Sequence, residues 1–98
     1  MEFKNPESVG FTVYSKSGCK NCTNVKELIK ENNLLYEEIN CDEYLLENKE
    51  DFLNFIEKNA GKSYKTFPIV FYDNKFVGGL SHTIEFIDKL LVSFEDNF

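Results

Sequence analysis

The pattern of apolar and polar residues along the chain predicts four strands and three helices. Strands are indicated where β-branched and aromatic residues run together between turn-forming residues, and helices where apolar residues recur every three or four positions. The predicted strands cover residues 9–14, 34–41, 67–72 and 75–77. The predicted helices run from Cys19 to Asn32-Asn33, from about Leu45 to Gly61, and from Ser81 onward, after Gly78-Gly79 has ended the last strand. The predicted order is therefore β-α-β-α-β-β-α.

Each predicted helix has one apolar face. These faces carry Cys22, Val25, Leu28 and Ile29 in the first helix, Leu45, Phe52, Leu53, Ile56 and Ala60 in the second, and Ile84, Ile87, Leu90, Leu91 and Phe94 in the third. We expect Ser81 to cap the last helix and Gly61 to end the second. Asp73-Asn74 predicts a tight hairpin. Because a β-α-β crossover joins parallel strands, we expect an α/β fold with a four-stranded mixed sheet and helices on both faces.

Length, charge and hydropathy argue for one small domain. The 98 residues, 42% of them hydrophobic, are expected to form a single domain with a core from about residue 9 to residue 94. The net charge of −6 argues against a uniform nucleic-acid-binding surface. The longest apolar run, residues 67–72, is far shorter than the roughly 20 residues of a membrane helix. Residues 1–8 lack the apolar segment of a secretory signal. We therefore expect neither nucleic acid nor membrane as a partner.

Two of the three cysteines form a C-x-x-C motif, Cys19 and Cys22, where the first strand meets the first helix. This spacing places both sulfurs on the first helical turn, where they can form a disulfide and open it again. The helix N-terminus, with Lys16 and Lys20, favours a thiolate at Cys19. Cys22 is expected to be less exposed and to act as the resolving thiol. An odd number of cysteines that includes a C-x-x-C indicates thiol chemistry in a reducing compartment, so we expect a cytoplasmic location.

Two further motifs lie nearer the C-terminus. Pro68, in Thr66-Phe67-Pro68, stands within a run that otherwise predicts a strand, so it belongs at the start or the edge of that strand. Gly78-Gly79 permits a close approach of backbone, and the N-terminus of the helix that follows offers N–H groups to a carboxylate.

Together these residues resemble the glutaredoxin family. The resemblance is carried by K-S-G-C-K-N-C at residues 16–22, T-F-P at 66–68 and G-G-L-S-H at 78–82, and it extends over about residues 10–91. It implies a thioredoxin-like fold in which Cys19 is the nucleophile and faces a cis Pro68. It also implies that glutathione is the reductant and co-substrate. The implied glutathione groove is formed by Lys16, Thr66, Phe67, Pro68, Gly79 and Ser81.

By the same resemblance, Lys16 meets the glycyl carboxylate of glutathione, the Phe67 backbone pairs with its cysteinyl backbone, and Ser81 holds its γ-glutamyl carboxylate. The sequence departs from the family at Lys20-Asn21, which replaces Pro-Tyr, and at His82, which stands where an acidic residue is common. The implied activity is the reduction of protein disulfides and glutathionylated proteins by a monomer.

Other functions stay open. One is a thioredoxin-like electron donor that does not use glutathione, although the Trp usual before its motif is absent. Another is a glutathione-ligated iron–sulfur cluster carrier, because a motif without Pro after the first Cys is more permissive of it. Cys19, Cys22, Cys41 and His82 lack the spacing of a structural zinc site, so no metal is expected. Cys41 is expected to be a packed structural thiol.

Overall fold

A computed structural model describes residues 2–95, with side chains described as far as Val92. The strands are β1 (Phe11–Ser15), β2 (Tyr36–Asn40), β3 (Ile69–Tyr72) and β4 (Lys75–Gly78). The helices are α1 (Lys20–Glu31), α2 (Asp42–Ala60) and α3 (Leu80–Glu95). The predicted order of elements is confirmed. The side chain of Phe94, which was expected in the core, lies outside the described residues.

The four strands form one mixed sheet in the order β2-β1-β3-β4. Strand β1 pairs in parallel with β2 along its whole length and antiparallel with β3. Strands β3 and β4 form the predicted hairpin, in which Asp73 and Asn74 both have left-handed φ angles, 48° and 67°. Two consecutive left-handed residues give a turn whose twist matches that of the flanking strands.

Apolar clusters cover both faces of the sheet, because alternate residues of a strand point to opposite sides. The first cluster lies under α2 and consists of Tyr14, Cys22, Ile39, Cys41, Phe52, Ile56, Phe67, Ile69 and Phe71. The second lies under α1 and α3 and consists of Phe11, Val13, Val25, Ile29, Val70 and Ile87. The expected mixed sheet with helices on both faces is therefore confirmed.

Helix α3 begins earlier than predicted, and Ile87 and Leu91 of its predicted apolar face pack on the core whereas Ile84 does not. Its first helical hydrogen bond runs from the Thr83 N–H to the Gly79 carbonyl, 3.0 Å, so Ser81 lies inside the first turn and the predicted Ser81 cap is wrong. Ile84 was expected in the core but is 42% exposed, whereas Thr83 is fully buried. Thr83 tolerates burial because its hydroxyl donates to the Gly79 carbonyl at 2.8 Å.

Helix α2 bends at Asn48, whose φ of −145° and ψ of 48° are not helical. It ends, as predicted, at Gly61, which has a left-handed φ of 78° and donates its N–H to the Glu57 carbonyl at 2.9 Å. Within residues 2–95 no helix combines the length and the apolar composition needed to cross a bilayer.

The segment before β1 packs on the α2 side of the sheet, which the sequence pattern did not predict. The ring of Phe3 lies 4.9 Å from that of Tyr44 and 5.5 Å from that of Phe52, between ring centroids. The Tyr14 hydroxyl donates to the Lys4 carbonyl at 2.6 Å. The segment thus adds the Phe3 ring to the first cluster. Its Lys4 carbonyl accepts the hydrogen bond of the Tyr14 hydroxyl, which belongs to that cluster.

Phe52 is fully buried at the centre of this cluster. Its ring packs against those of Phe3, Tyr14, Tyr44, Phe55 and Phe67. We expect Phe52→Ala to lower the free energy of unfolding by about 3–5 kcal/mol, because the vacated volume cannot refill completely. Urea denaturation measures the change. Leu46→Ala, on the same helix but 85% exposed, should change it by less than about 0.5 kcal/mol. Equal losses in the two variants would contradict this account of the core.

Candidate active site

Cys19 and Cys22 lie at the start of α1, just beyond the carboxyl end of β1. A disulfide joins them, with the Cα atoms 5.2 Å apart, so the structure shows the oxidised state. Cys19 is the N-cap residue, and its sulfur accepts a hydrogen bond from the Cys22 backbone N–H at 3.2 Å. Cys22 is 1% exposed, whereas Cys19 is half-buried. The predicted difference in exposure is confirmed, and Cys19 is the sulfur that a large substrate can reach.

The N-cap position favours a thiolate at Cys19 once the disulfide is reduced. The backbone N–H groups of the first helical turn have no helical partner, and they form the positive end of the helix dipole. They lower the free energy of a negative charge on the Cys19 sulfur. Cys22 lies among apolar side chains, where burial disfavours a negative charge. The two sulfurs therefore occupy electrostatically different environments within one turn of helix.

Cys41 is the free cysteine, and it follows the end of β2. Its N–H donates to the Ser15 carbonyl at 2.8 Å, which places it at the same edge of the sheet as the loop that leads to Cys19. Its side chain is fully buried, and its thiol donates to the Ile39 carbonyl at 3.4 Å. Burial raises the pKa of the Cys41 thiol to about 12. Cys41 is thus packed, as predicted, and protonated at neutral pH.

The Thr66-Phe67-Pro68 motif, the second of the three, lies beside the disulfide. Phe67 and Cys22 belong to the same apolar cluster, and Cys19 packs against that cluster. The Lys16 ammonium lies over the Phe67 ring, 5.4 Å from its centroid. The Phe67–Pro68 peptide bond is cis, as the resemblance implied. The fold therefore brings Lys16 and Phe67 together at the cluster against which the half-buried Cys19 packs.

The third motif, which begins with Gly78-Gly79, adjoins the Thr66-Phe67-Pro68 motif. A Cβ added at Gly79 would lie 3.6 Å from the Pro68 carbonyl oxygen and 2.7 Å from the Tyr64 hydroxyl. The Tyr64 hydroxyl therefore lies against Gly79 and would have to move if a larger residue stood there; no sequence motif marked Tyr64. Thr66 and Ser81 are exposed. Their side chains form no hydrogen bond within the described residues, so both remain available to a ligand.

A cleft of about 260 Å³ extends from the second motif to α2. It is lined by Lys16, Leu45, Lys49, Leu53, Lys65 and Phe67. Sequence analysis missed Lys49 as a site residue because only the fold brings α2 beside the motif. Three lysines and no acidic side chain line the cleft, although the chain has 17 acidic and 11 basic residues. Lys20, which lies within the C-x-x-C motif, does not line the cleft.

Asp42 connects the loop that precedes Cys19 to the start of α2. Its carboxylate accepts hydrogen bonds from the Ser17 hydroxyl and from the Ser17 backbone N–H, the latter at 2.9 Å. These two bonds hold the pKa of Asp42 below its usual range, and the bond from the Ser17 hydroxyl has the larger effect. The charge of Lys16 adds a smaller effect. Nothing in the sequence pattern marked this pair. The junction between β2 and α2 therefore holds the loop that leads to Cys19.

Within the described residues, no three His, Cys, Asp or Glu side chains lie close enough together to hold a metal ion. Cys41 is enclosed in the core. The ring of His82 packs against Gly78, where an added Cβ would lie 2.7 Å from it. The fold does not assemble the four-residue set of Cys19, Cys22, Cys41 and His82.

Comparison with known proteins gives consistent matches. The family model described as Glutaredoxin matches residues 11–77, which include the first two motifs. Glutaredoxin 1 of Rickettsia conorii is 39% identical over 84 residues, covering 81% of this chain and 78% of that protein. The crystal structure of glutaredoxin 1 from Francisella tularensis has a TM-score of 0.69 at 27% identity, covering 83% of this chain and 94% of that one. A buckwheat glutaredoxin–glutathione complex has a TM-score of 0.66 at 29% identity, covering 85% and 73%.

The environments of the three sulfurs predict their reactivity. We expect iodoacetamide to alkylate Cys19 of the reduced protein first at about pH 6, because the helix N-terminus favours its thiolate. Cys22 should react more slowly because it is buried. Cys41 should stay unlabelled because its pKa is about 12 and its side chain is enclosed. Mass mapping after short exposures measures the order, and labelling of Cys41 before Cys19 would contradict it.

The hydrogen bonds at Asp42 predict a pH-dependent contribution to stability. The pKa of Asp42 is lower in the folded protein than in the unfolded chain, where it is about 3.9. Its contribution is therefore complete above about pH 5 and is lost as the pH falls through the folded-state pKa. We expect Asp42→Asn to lower the melting temperature at neutral pH, with the difference from wild type narrowing once the pH falls below about 4 towards the folded-state pKa. A difference that stays constant over this range would show that the carboxylate charge contributes nothing.

Proposed function

This chain belongs to the glutaredoxin family, and from that premise we propose that it uses glutathione to reduce protein disulfides and glutathionylated proteins. Its thioredoxin-like fold and its activity as a thiol–disulfide oxidoreductase come with the family. The observation that carries the proposal is the pairing of a half-buried Cys19 at a helix N-cap with a buried Cys22.

In the proposed reaction, the Cys19 thiolate attacks one sulfur of a substrate disulfide. The substrate S–S bond breaks, its second sulfur leaves as a thiolate that takes a proton, and Cys19 is left in a mixed disulfide with the substrate. The Cys22 thiolate then attacks the Cys19 sulfur and releases the remaining substrate thiol. The substrate gains two electrons and two protons, and the enzyme is left with the Cys19–Cys22 disulfide that the structure contains.

Two glutathione molecules restore the dithiol in this proposal. The first attacks the enzyme disulfide and leaves Cys19 glutathionylated, and the second attacks that mixed disulfide and departs as glutathione disulfide. The buckwheat glutaredoxin that was solved with glutathione supports the choice of reductant. Lys16 would bind the glycyl carboxylate beside the Phe67 ring that it covers.

The remainder of the proposed groove follows the backbone. The Phe67 backbone would pair with the cysteinyl unit of glutathione, as an added strand pairs with a sheet edge. Thr66 and Ser81 are exposed on either side of the contact between Pro68 and Gly79, and Ser81 would hold the γ-glutamyl carboxylate at the start of α3. This carboxylate would meet N–H groups without helical partners, which favour an anion.

We further propose that residues 1–98 form one domain that works as a monomer in the cytoplasm and carries electrons from glutathione to its substrates. The low cysteine count and the C-x-x-C motif support a reducing compartment. The acidic net charge and the absence of a long apolar run support a protein without nucleic-acid or membrane partners. The proposed reaction needs no metal.

The decisive assay for glutathione is turnover of a small glutathionylated disulfide with glutathione as the sole electron source. The proposal expects steady turnover that requires Cys19. If turnover is absent and activity appears only with a thioredoxin reductase, the chain is a thioredoxin-like electron donor and the proposed use of glutathione is wrong.

The two sulfurs predict different losses when each is replaced. Cys22→Ser should keep much of the deglutathionylation activity, because a second glutathione can release the first. It should lose most protein-disulfide reduction and accumulate mixed disulfides, because the neighbouring thiol that acts at high effective concentration is gone. Cys19→Ser should lose both activities.

Cys41→Ser is the matched control, since it removes a thiol that is buried in the core. It should lose neither activity. Both activities of the three variants are measured at one pH. If Cys22→Ser abolishes deglutathionylation while Cys41→Ser impairs protein-disulfide reduction, the third thiol takes part in the reaction and the two-cysteine scheme is wrong.

A further inference from the structure

The segment before β1 packs across the bend in α2. We call residues 2–8 the N-terminal segment; the family model begins to match only at β1, so the resemblance gives this segment no role. The Phe3 ring lies 4.9 Å from the Tyr44 ring, between centroids, on the part of α2 before the bend. It also lies 5.5 Å from the Phe52 ring and 5.4 Å from the Phe55 ring, both after the bend. One side chain therefore contacts the helix on both sides of its non-helical residue.

Lys4 joins the same helix to the two parallel strands. Its backbone N–H donates to the Tyr44 hydroxyl at 3.2 Å, and its carbonyl accepts from the Tyr14 hydroxyl of β1 at 2.6 Å. The Lys4 ammonium also pairs with the Glu37 carboxylate of β2. The N-terminal segment thus ties the first part of α2 to the strands that lead to the active site.

The part of α2 before the bend carries the group that holds the loop before Cys19. Asp42 begins this part, and its carboxylate accepts from the hydroxyl and the backbone N–H of Ser17. Both residues are exposed, so water competes for these hydrogen bonds, and they form only while their two ends stay in position. Because the bend interrupts the helical geometry, packing must orient this part, and Tyr44 and Leu45 supply its apolar contacts.

Resting on the proposed attack by Cys19, we propose that the N-terminal segment positions this nucleophile through α2. Phe3 and Lys4 hold Tyr44, and Tyr44 orients the first part of the helix. Asp42 is thereby kept in place to hold the loop before Cys19. With the loop held, Cys19 keeps its place as the N-cap of α1, where unpartnered N–H groups stabilise its thiolate. When the segment is loosened, Cys19 leaves that position for part of the time and its thiolate becomes less stable.

The pH dependence of Cys19 alkylation tests the proposal. The rate at which iodoacetamide labels Cys19 of the reduced full-length protein is measured by mass mapping from about pH 4 to about pH 9, and the midpoint of this profile reports the stability of the thiolate. We expect Phe3→Ala to make the thiolate fraction at low pH about two- to fivefold smaller, which is the size of a helix-terminus effect on one charge. The midpoint then rises by about 0.3–0.7 pH unit. Phe3→Leu, which keeps a large apolar side chain, should restore most of the wild-type midpoint.

Phe86→Ala is the matched control. Phe86 is also a partly buried phenylalanine, but it lies on α3 and packs on Phe11 and Tyr72 in the second cluster, away from α2. It should lower the free energy of unfolding, as urea denaturation measures it, and leave the midpoint for Cys19 unchanged. A shift as large as that of Phe3→Ala would show that the midpoint follows overall stability, and the positioning role would be wrong.

A double substitution tests the route through Ser17. Ser17→Ala removes the hydroxyl that donates to Asp42 and changes no charge. Phe3→Ala should shift the midpoint less in the Ser17→Ala protein than in wild type, because residues that act through one contact are not additive. Full additivity, or an unchanged midpoint in Phe3→Ala, would overturn the positioning role and leave the reaction at Cys19 intact. If iodoacetamide labels Cys41 first in wild type, the proposed nucleophile is wrong and the positioning role falls with it.

Discussion

The parallel pairing of β1 with β2 is the constraint on which the rest of the site depends. Parallel strands end at the same edge of a sheet, so the helices that follow them start side by side. The hydrogen bond between the Cys41 N–H and the Ser15 carbonyl, 2.8 Å, closes this edge. It leaves Asp42 within reach of Ser17 and brings Lys49 to the cleft beside Phe67. The loop between β1 and α1, which contains glycine and exposed polar residues, is thereby held by the buried junction of Ser15 with Cys41, and Cys19 lies at its end.

Helix α1 places the two thiols of Cys19 and Cys22 in different environments. Cys19 stands at the end of the helix, where the backbone offers unpartnered N–H groups, and Cys22 stands one turn on, where the helix face enters the apolar cluster. Helix periodicity thus keeps the proposed resolving thiol close to the proposed nucleophile and yet shielded from substrate. Cys41 is the N-cap residue of α2, but its side chain forms no capping hydrogen bond, and burial raises its pKa to about 12.

Local signals predicted the elements and the sulfur chemistry, because the helical period, the Asp73-Asn74 turn and the C-x-x-C spacing each act over a few residues. The sequence did not reveal contacts between distant positions, such as Ser17 with Asp42 or Tyr64 with Gly79. The errors in α3 have the same origin. Thr83 can take a core position because its hydroxyl donates to a carbonyl one turn back, and Ile84, the next residue, is exposed. Hydrophobic periodicity carries no information about that hydrogen bond.

The net charge of the chain does not determine the charge that a ligand meets at the cleft beside Phe67. At physiological ionic strength an approaching substrate feels individual charges only within about 8 Å. The excess of acidic residues across the surface therefore cannot cancel the field of three lysines around one cleft, although it disfavours negative partners that approach elsewhere. An anionic group therefore gains attraction only when it lies close to this cleft. The net charge of −6 thus does not determine the electrostatic environment beside Phe67, which the neighbouring lysines set.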